Sequence, residues 1–410
     1  MNRINRSHGQ ILPVVLAVIA LAITAILLSH RVNRAVTQET RLVNAADAAA
    51  YSAASWTARR LNLIAYTNRA MIANHIAVGH LVAYISWLRY VDQGAARLAR
   101  YTSYLPYVGT ATRIAQRVVR TGLITSERMS WGYINGIDAL HTLMQLSQLD
   151  ARRQLTRPTI NAVMQRVANQ YDQNYRVNQL GDLSRLPTPY ASGIRALLVT
   201  ESLANFSRVQ TAEPGEDHRY FNGLLNRSIH HNHRLRRWLE GGQSTAWPRY
   251  GAGGRNWDFR IPLIIRFRKQ GATNRAPLAD AGGWRSRDRL QVSTFEFGKD
   301  GWGWSGWDTI ARGRADADRI ASGYSGVNRY TRLRPRDNGE YRFRLSALVT
   351  APIPGITEHD ALQSHLSMAE VIYRVPDNCG ATCPNPDQPP TLFNPYWQAN
   401  LTATDLPGLR

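Results

Sequence analysis

The stretch ILPVVLAVIALAITAILLS, from Ile11 to Ser29, runs for 19 residues without a charge. A helix needs about 20 apolar residues to cross the hydrocarbon core of a bilayer. The reading that follows is a transmembrane helix over 11–29, preceded by a short leader over 1–10. A cleaved secretory signal and a buried core helix share this composition. A signal, however, usually carries a shorter apolar part of about 7–15 residues and a small-x-small cleavage site, and none follows here. Helical pattern continues instead into Arg31, Arg34 and beyond. The expectation is a retained single-pass anchor with membrane lipid as one partner.

Charge does not orient that anchor, because Arg3 and Arg6 before it are answered by Arg31, Arg34 and Arg41 after it. The two cysteines bear on the same question. Cys379 and Cys383 lie in DNCGATCPNP, a short loop bounded by Pro and Gly that could close as a disulfide. Metal binding is the rival reading, but two thiols without a second pair or histidines make an incomplete zinc site. A disulfide belongs in an oxidising compartment. The expected topology therefore leaves the leader in the cytoplasm and the bulk outside, in the periplasm or at the cell surface.

The formal net charge is +21, which would ordinarily suggest nucleic acid or an anionic surface. All the basic residues but Lys269 and Lys299 are arginine, and they are spread from Arg3 to Arg410 with no dense run. That distribution reads as a coding bias toward arginine, so nucleic acid is not the expected partner. Acidic envelope polymers or lipid headgroups fit better.

Past the anchor the period is helical. In MIANHIAVGHLVAYISWLRYV, Ile72, Ile76, Val78, Leu81, Val82, Ile85 and Leu88 recur at three- and four-residue steps, which gives one broad buried face. Pro106 breaks the pattern. Helical segments follow around 110–124, 130–156, 159–180 and 191–208. The second half changes to a period of two. DFRIPLIIRFRK reads as one strand, edge or bulged at Pro262, with Phe259, Ile261, Leu263, Ile265 and Phe267 on one face. In EYRFRLSALV, Tyr341, Phe343, Leu345, Ala347 and Val349 share a face. RLQVSTFEF, MAEVIYRV and YWQANLTA are further strand candidates. The expected class is α+β: a helical stalk over 30–105, a helical region over 106–240, and an antiparallel β-rich head over 241–410 that ends in the Cys loop.

Candidate chemistry is sparse. His230, His231 and His233 lack the four-residue spacing of ligands on one helix face. His359, Asp360 and His365 have no nucleophile motif nearby. No phosphate loop and no HExxH occurs. Neither an enzyme nor a metal or other cofactor is expected. In GWGWSGWD, Trp302, Trp304 and Trp307 could stack on sugar rings as part of an envelope adhesin, or form the core of a buried hairpin.

Between anchor and head lies RLVNAADAAAYSAA. Its alanines give a helix a smooth surface that neighbouring helices approach closely. Ala45, Ala46, Asp47, Ala49 and Ala50 are the candidate packing interface, and the competing explanation is that alanine is simply the best helix former. The basic N-terminus, the Gly9–Gln10 pair opening the apolar run, and Asn44 through Ala50 with Ala54 resemble the N-terminal segment of TadE/TadG-like proteins of the tight-adherence (Flp) pilus assembly system. Residues 66–87 and 392–401 look like further segments of the group. The resemblance implies a non-catalytic, pilin-like or minor-pilin-like scaffold. It would be anchored in a bacterial inner membrane with its body in the periplasm, and would contact other pilus subunits. Processed pilin-like members carry a glutamate five residues after the cleavage glycine, where Val14 stands here. The DxSxS metal site of many TadG-like chains is also absent.

Overall fold

The computed structural model describes residues 11–179, 181, 207–212, 257–261, 264–275, 283–299, 301–324, 326–327, 329–334, 341–353, 362–375 and 390–403. The chain is α+β, with three helices leading into antiparallel sheets.

Helix α1 runs unbroken over Ile11–Tyr101, about 135 Å at 1.5 Å per residue. Residues 12–41 are exposed throughout, and burial begins abruptly at Leu42. The apolar part is long and apolar enough to cross a membrane. Ile72, Ile76, Val78, Val82, Ile85 and Leu88 are buried, as their spacing predicts. Pro106 ends the run, and Tyr107 turns the chain with a φ of 65°. Helix α2 (Val108–Arg153) folds back along α1. It fuses the two segments expected at 110–124 and 130–156, since no proline separates them. Helix α3 (Arg157–Tyr171) carries Pro158 in its first turn and ends earlier than expected, because β1 (Arg176–Val177) takes the chain into a sheet. The helix expected over 191–208 falls largely outside the described residues.

The remaining elements are β2 (Val209–Ala212), β3 (Trp257–Ile261), β4 (Ile265–Arg275), β5 (Trp284–Gly298), β6 (Gly301–Trp304), β7 (Asp308–Asp316), a short helix α4 (Ala317–Ile320), β8 (Tyr330–Leu333), β9 (Phe343–Pro352), β10 (Leu362–Tyr373) and β11 (Trp397–Thr402). A proximal sheet has the order β1-β9-β10-β11. A distal sheet places β3, β4 and β5 side by side, with β6 and β7 both paired to β5. The pair β2–β8 bridges the region between them. DFRIPLIIRFRK is a hairpin and not one strand: β3 and β4 pair antiparallel with Ile261 opposite Ile265. The chain therefore reverses between Ile261 and Ile265.

Each sheet has its own core against α1. The proximal core sets Phe343, Leu345, Ala347, Val349, Ala369 and Val371 against residues 42–64 of α1 and against α3. The distal core sets Trp284 and Ala315, with Tyr324 and Tyr330, against residues 71–88 and α2. Residues 42–99 of α1 thus run through the folded body and pack in both cores.

Polar clamps fix the register of helix on sheet. Asn62 donates to the Trp397 carbonyl at 2.9 Å and accepts from its amide at 3.0 Å. Asn68 donates to the carbonyls of Thr331 and Leu392, and Gln148 of α2 donates to Asn68 at 2.8 Å. The segments 66–87 and 392–401 therefore meet in space.

Candidate functional site

Two regions bear on function: the strip where α1 enters the body, and the outer face of the distal sheet. In the first, Ala45, Ala46, Ala49, Ala50, Ala53 and Ala54 are all fully buried. With almost no side chain to keep them apart, α1 lies directly on β9 and β10. Asp47 accepts a hydrogen bond from Ser367 Oγ of β10 at 2.6 Å. This corrects the expected role of Ala45, Ala46, Asp47, Ala49 and Ala50. Their smooth surface is filled by the chain's own sheet, so it is not free for other subunits. The physical reason is plain. The period-two strands of the second half carry an apolar face on each side of the turn, and the alanine strip is what lets one of those faces close on the helix.

The longest unbroken exposed stretch of α1 is residues 12–41. Beyond the apolar run this is HRVNRAVTQETR, about 18 Å of helix at 1.5 Å per residue, with Val32 and Val36 exposed on one side.

This geometry coincides with a family assignment. Residues 9–56 match the family described as putative Flp pilus-assembly TadE/G-like. That N-terminal segment is TadE/TadG-like. The TadE/G-like segment spans the exposed apolar run, the exposed dozen residues after it and the alanine strip, and so ends inside the proximal core. No curated protein and no solved structure matches the chain.

At the second region the three tryptophans part company. Trp304 has the Arg266 guanidinium 4.1 Å from its ring centre and that of Arg260 at 6.0 Å. Trp307 has Arg268 at 4.1 Å and Arg266 at 5.2 Å. These two rings already have cationic partners from β3 and β4, in an alternating arginine–tryptophan row. Trp302 is different. It stacks on Phe295 with ring planes 14° apart and meets Phe297 edge-on, yet remains 69% exposed. Of the glycan-stacking candidates, Trp302 alone offers an open ring.

The inner face of the same sheet carries a buried ion pair that the sequence did not announce. Lys269 Nζ lies 2.9 Å from Asp288 Oδ1, both nearly inaccessible, and Ser86 Oγ of α1 donates to the other carboxylate oxygen at 2.7 Å. Burial pushes the Lys269 ammonium down and the Asp288 carboxyl up, and each partner offsets the other's shift. Beside them a Cβ on Gly313 would collide with the Ser86 carbonyl. Glycine at 313 is what lets β7 reach α1. The one available signal was that Lys269 is one of two lysines in an arginine-rich chain.

Among the described residues no group of three or more His, Cys, Asp or Glu side chains is placed to hold a metal ion. Cys379 and Cys383 lie outside the described residues, as do His230, His231, His233, His359 and Asp360.

Proposed function

We propose that this chain is a non-catalytic, pilin-like scaffold of the Flp pilus assembly machine, held by a single helix in the inner membrane with its body in the periplasm. The observation that carries the reading is the continuity of α1. One helix leaves an exposed apolar run and enters the proximal core without a break, over the residues that match the TadE/G-like family. A rigid connection of this kind couples membrane position to body position, which suits a structural part of an assembly. Its partners are other subunits of the pilus machine, and their natural contact is the exposed length of α1 over 12–41.

The test is deletion of the gene, complemented by chains carrying Val32→Asp with Val36→Asp. The deletion should abolish pili. The charged variant should restore membrane-inserted, folded protein without restoring pili or co-purification of machine subunits. Full restoration would remove the exposed helix from the contact. A reporter active only in the periplasm, fused after Arg410, should be active; activity confined to a cytoplasmic reporter would reverse the orientation.

A further inference from the structure

The outer face of the distal sheet concentrates positive charge beyond what the whole-chain composition requires. Arg285, Arg287 and Arg289 alternate along β5 and are all exposed, and Arg312 and Arg314 do the same on β7. In the register of the sheet, Arg287 stands opposite Arg314 and Arg289 opposite Arg312. On the other side of β5, Arg260 of β3 stands opposite Arg266 of β4. Like charges directly opposite on one face repel, and this face repeats the arrangement three times. Asp316 meets this face 3.1 Å from Arg314, and in the β3–β4 register Asp258 stands opposite Arg268, which leaves the arginines in excess. The arginine face runs into the aromatic end of the sheet, where Phe297 and Trp302 are 70% and 69% exposed.

We infer that this face binds an acidic polysaccharide, with the arginines of β5 and β7 taking its carboxylates and Trp302 stacking on a sugar ring. Guanidinium groups match carboxylates with two parallel hydrogen bonds, and an anion seated between opposed arginines relieves their repulsion. The apolar face of a sugar fits an open indole. Single-stranded nucleic acid would call for a series of open rings on which successive bases stack. Here Trp304 and Trp307 are taken by arginines, and the two open rings that remain, Phe297 and Trp302, pack edge-on against each other and do not form a series.

The anchoring bilayer is out of reach. Trp284 at the start of β5 donates to the His75 carbonyl of α1 and Arg97 donates to the Thr309 carbonyl of β7, which places the sheet about 70–100 Å along an unbroken helix from residue 29 at 1.5 Å per residue. The inference does not depend on the pilus reading, since it rests on the distal sheet and not on the TadE/G-like segment.

The experiment uses the full chain in nanodiscs of uncharged lipid and measures binding of polygalacturonate, with uncharged dextran, a single-stranded oligonucleotide and anionic vesicles as comparison probes. Polygalacturonate should bind in preference to all three. The triple variant Arg285→Gln, Arg287→Gln, Arg312→Gln should lose about tenfold in affinity, the combined worth of three exposed ion pairs. Trp302→Ala should weaken binding even at high salt, where the charge contribution is screened. A control triple of equal charge on α2, Arg117→Gln, Arg120→Gln, Arg128→Gln, should bind like the parent, and matched thermal unfolding checks that each variant is folded. Equal losses in both triples would make the binding a matter of net charge and overturn the assignment. Tighter binding to the oligonucleotide or the vesicles, or equal binding of dextran, would do the same.

Discussion

At the scale of single residues, the least replaceable group is the buried contact between α1 and the distal sheet. Lys269 and Asp288 are held out of water beside Ser86, with the Tyr90 ring 5.4 Å from the ammonium. Burying two charges costs most of what their attraction returns, so such a pair adds little net stability, but losing one partner strands the other. Lys269→Met is expected to destabilise the protein by about 3–5 kcal/mol. The double replacement Lys269→Met with Asp288→Leu should recover most of that loss. Thermal unfolding of the purified chain in detergent reads both. Equal stability of the single variant and the parent would mean that water reaches Asp288 and the site is not dry. A similar logic makes Gly313 intolerant even of alanine, since the obstacle is the backbone carbonyl of Ser86 and not a side chain that can swing away.

At the scale of elements, the alanine strip decides how helix and sheet join. Ala46→Leu and Ala49→Leu each insert a branched side chain where β9 and β10 already touch the helix. Overpacking of this sort costs about 1–3 kcal/mol. Either variant should unfold at lower temperature and be degraded more readily in the cell, whereas a leucine at exposed Tyr51 should be silent. If both variants keep parental stability, the sheet yields at the strip and close approach is not what the alanines provide.

The same strip shows what the sequence disclosed and what it withheld. Periodicity located α1, the break at Pro106, and β9, β10 and β11, because their apolar residues recur at the helical or strand period, although β9 and β10 bury both faces over part of their length. It also disclosed the smoothness of the alanine surface, though not its occupant. That depends on pairing residues 45–54 with residues 343–371, a long-range choice that local spacing does not encode. The arginine face was hidden for a related reason. Arg285, Arg287 and Arg289 alternate visibly, as do Arg312 and Arg314, but in a chain where arginine is everywhere the pattern gains meaning only once β5 and β7 are neighbours in register. DFRIPLIIRFRK misled because both arms of a hairpin keep the same alternation, and the reversal between Ile261 and Ile265 leaves that alternation in place.

At the scale of the whole molecule, α1 is the only described element that joins the exposed apolar run to the two cores, and it does so as an unbroken helix. Rotation and height of the body relative to the membrane are then locked together through residues 30–41. Inserting two residues there turns the body by about 200° while raising it by only about 3 Å. Inserting seven raises it by about 10 Å but returns it to within about 20° of its original facing. Alanines inserted between Thr37 and Gln38 keep the helix intact in both cases. If the body must face its neighbours in the pilus machine, the two-residue insertion should abolish piliation and the seven-residue insertion should largely preserve it. The comparison is made at equal amounts of membrane-inserted protein. The opposite pattern would mean that height above the bilayer matters and facing does not. Normal piliation in both would reduce residues 30–41 to a tether, and the continuity of α1 would then have no part in assembly.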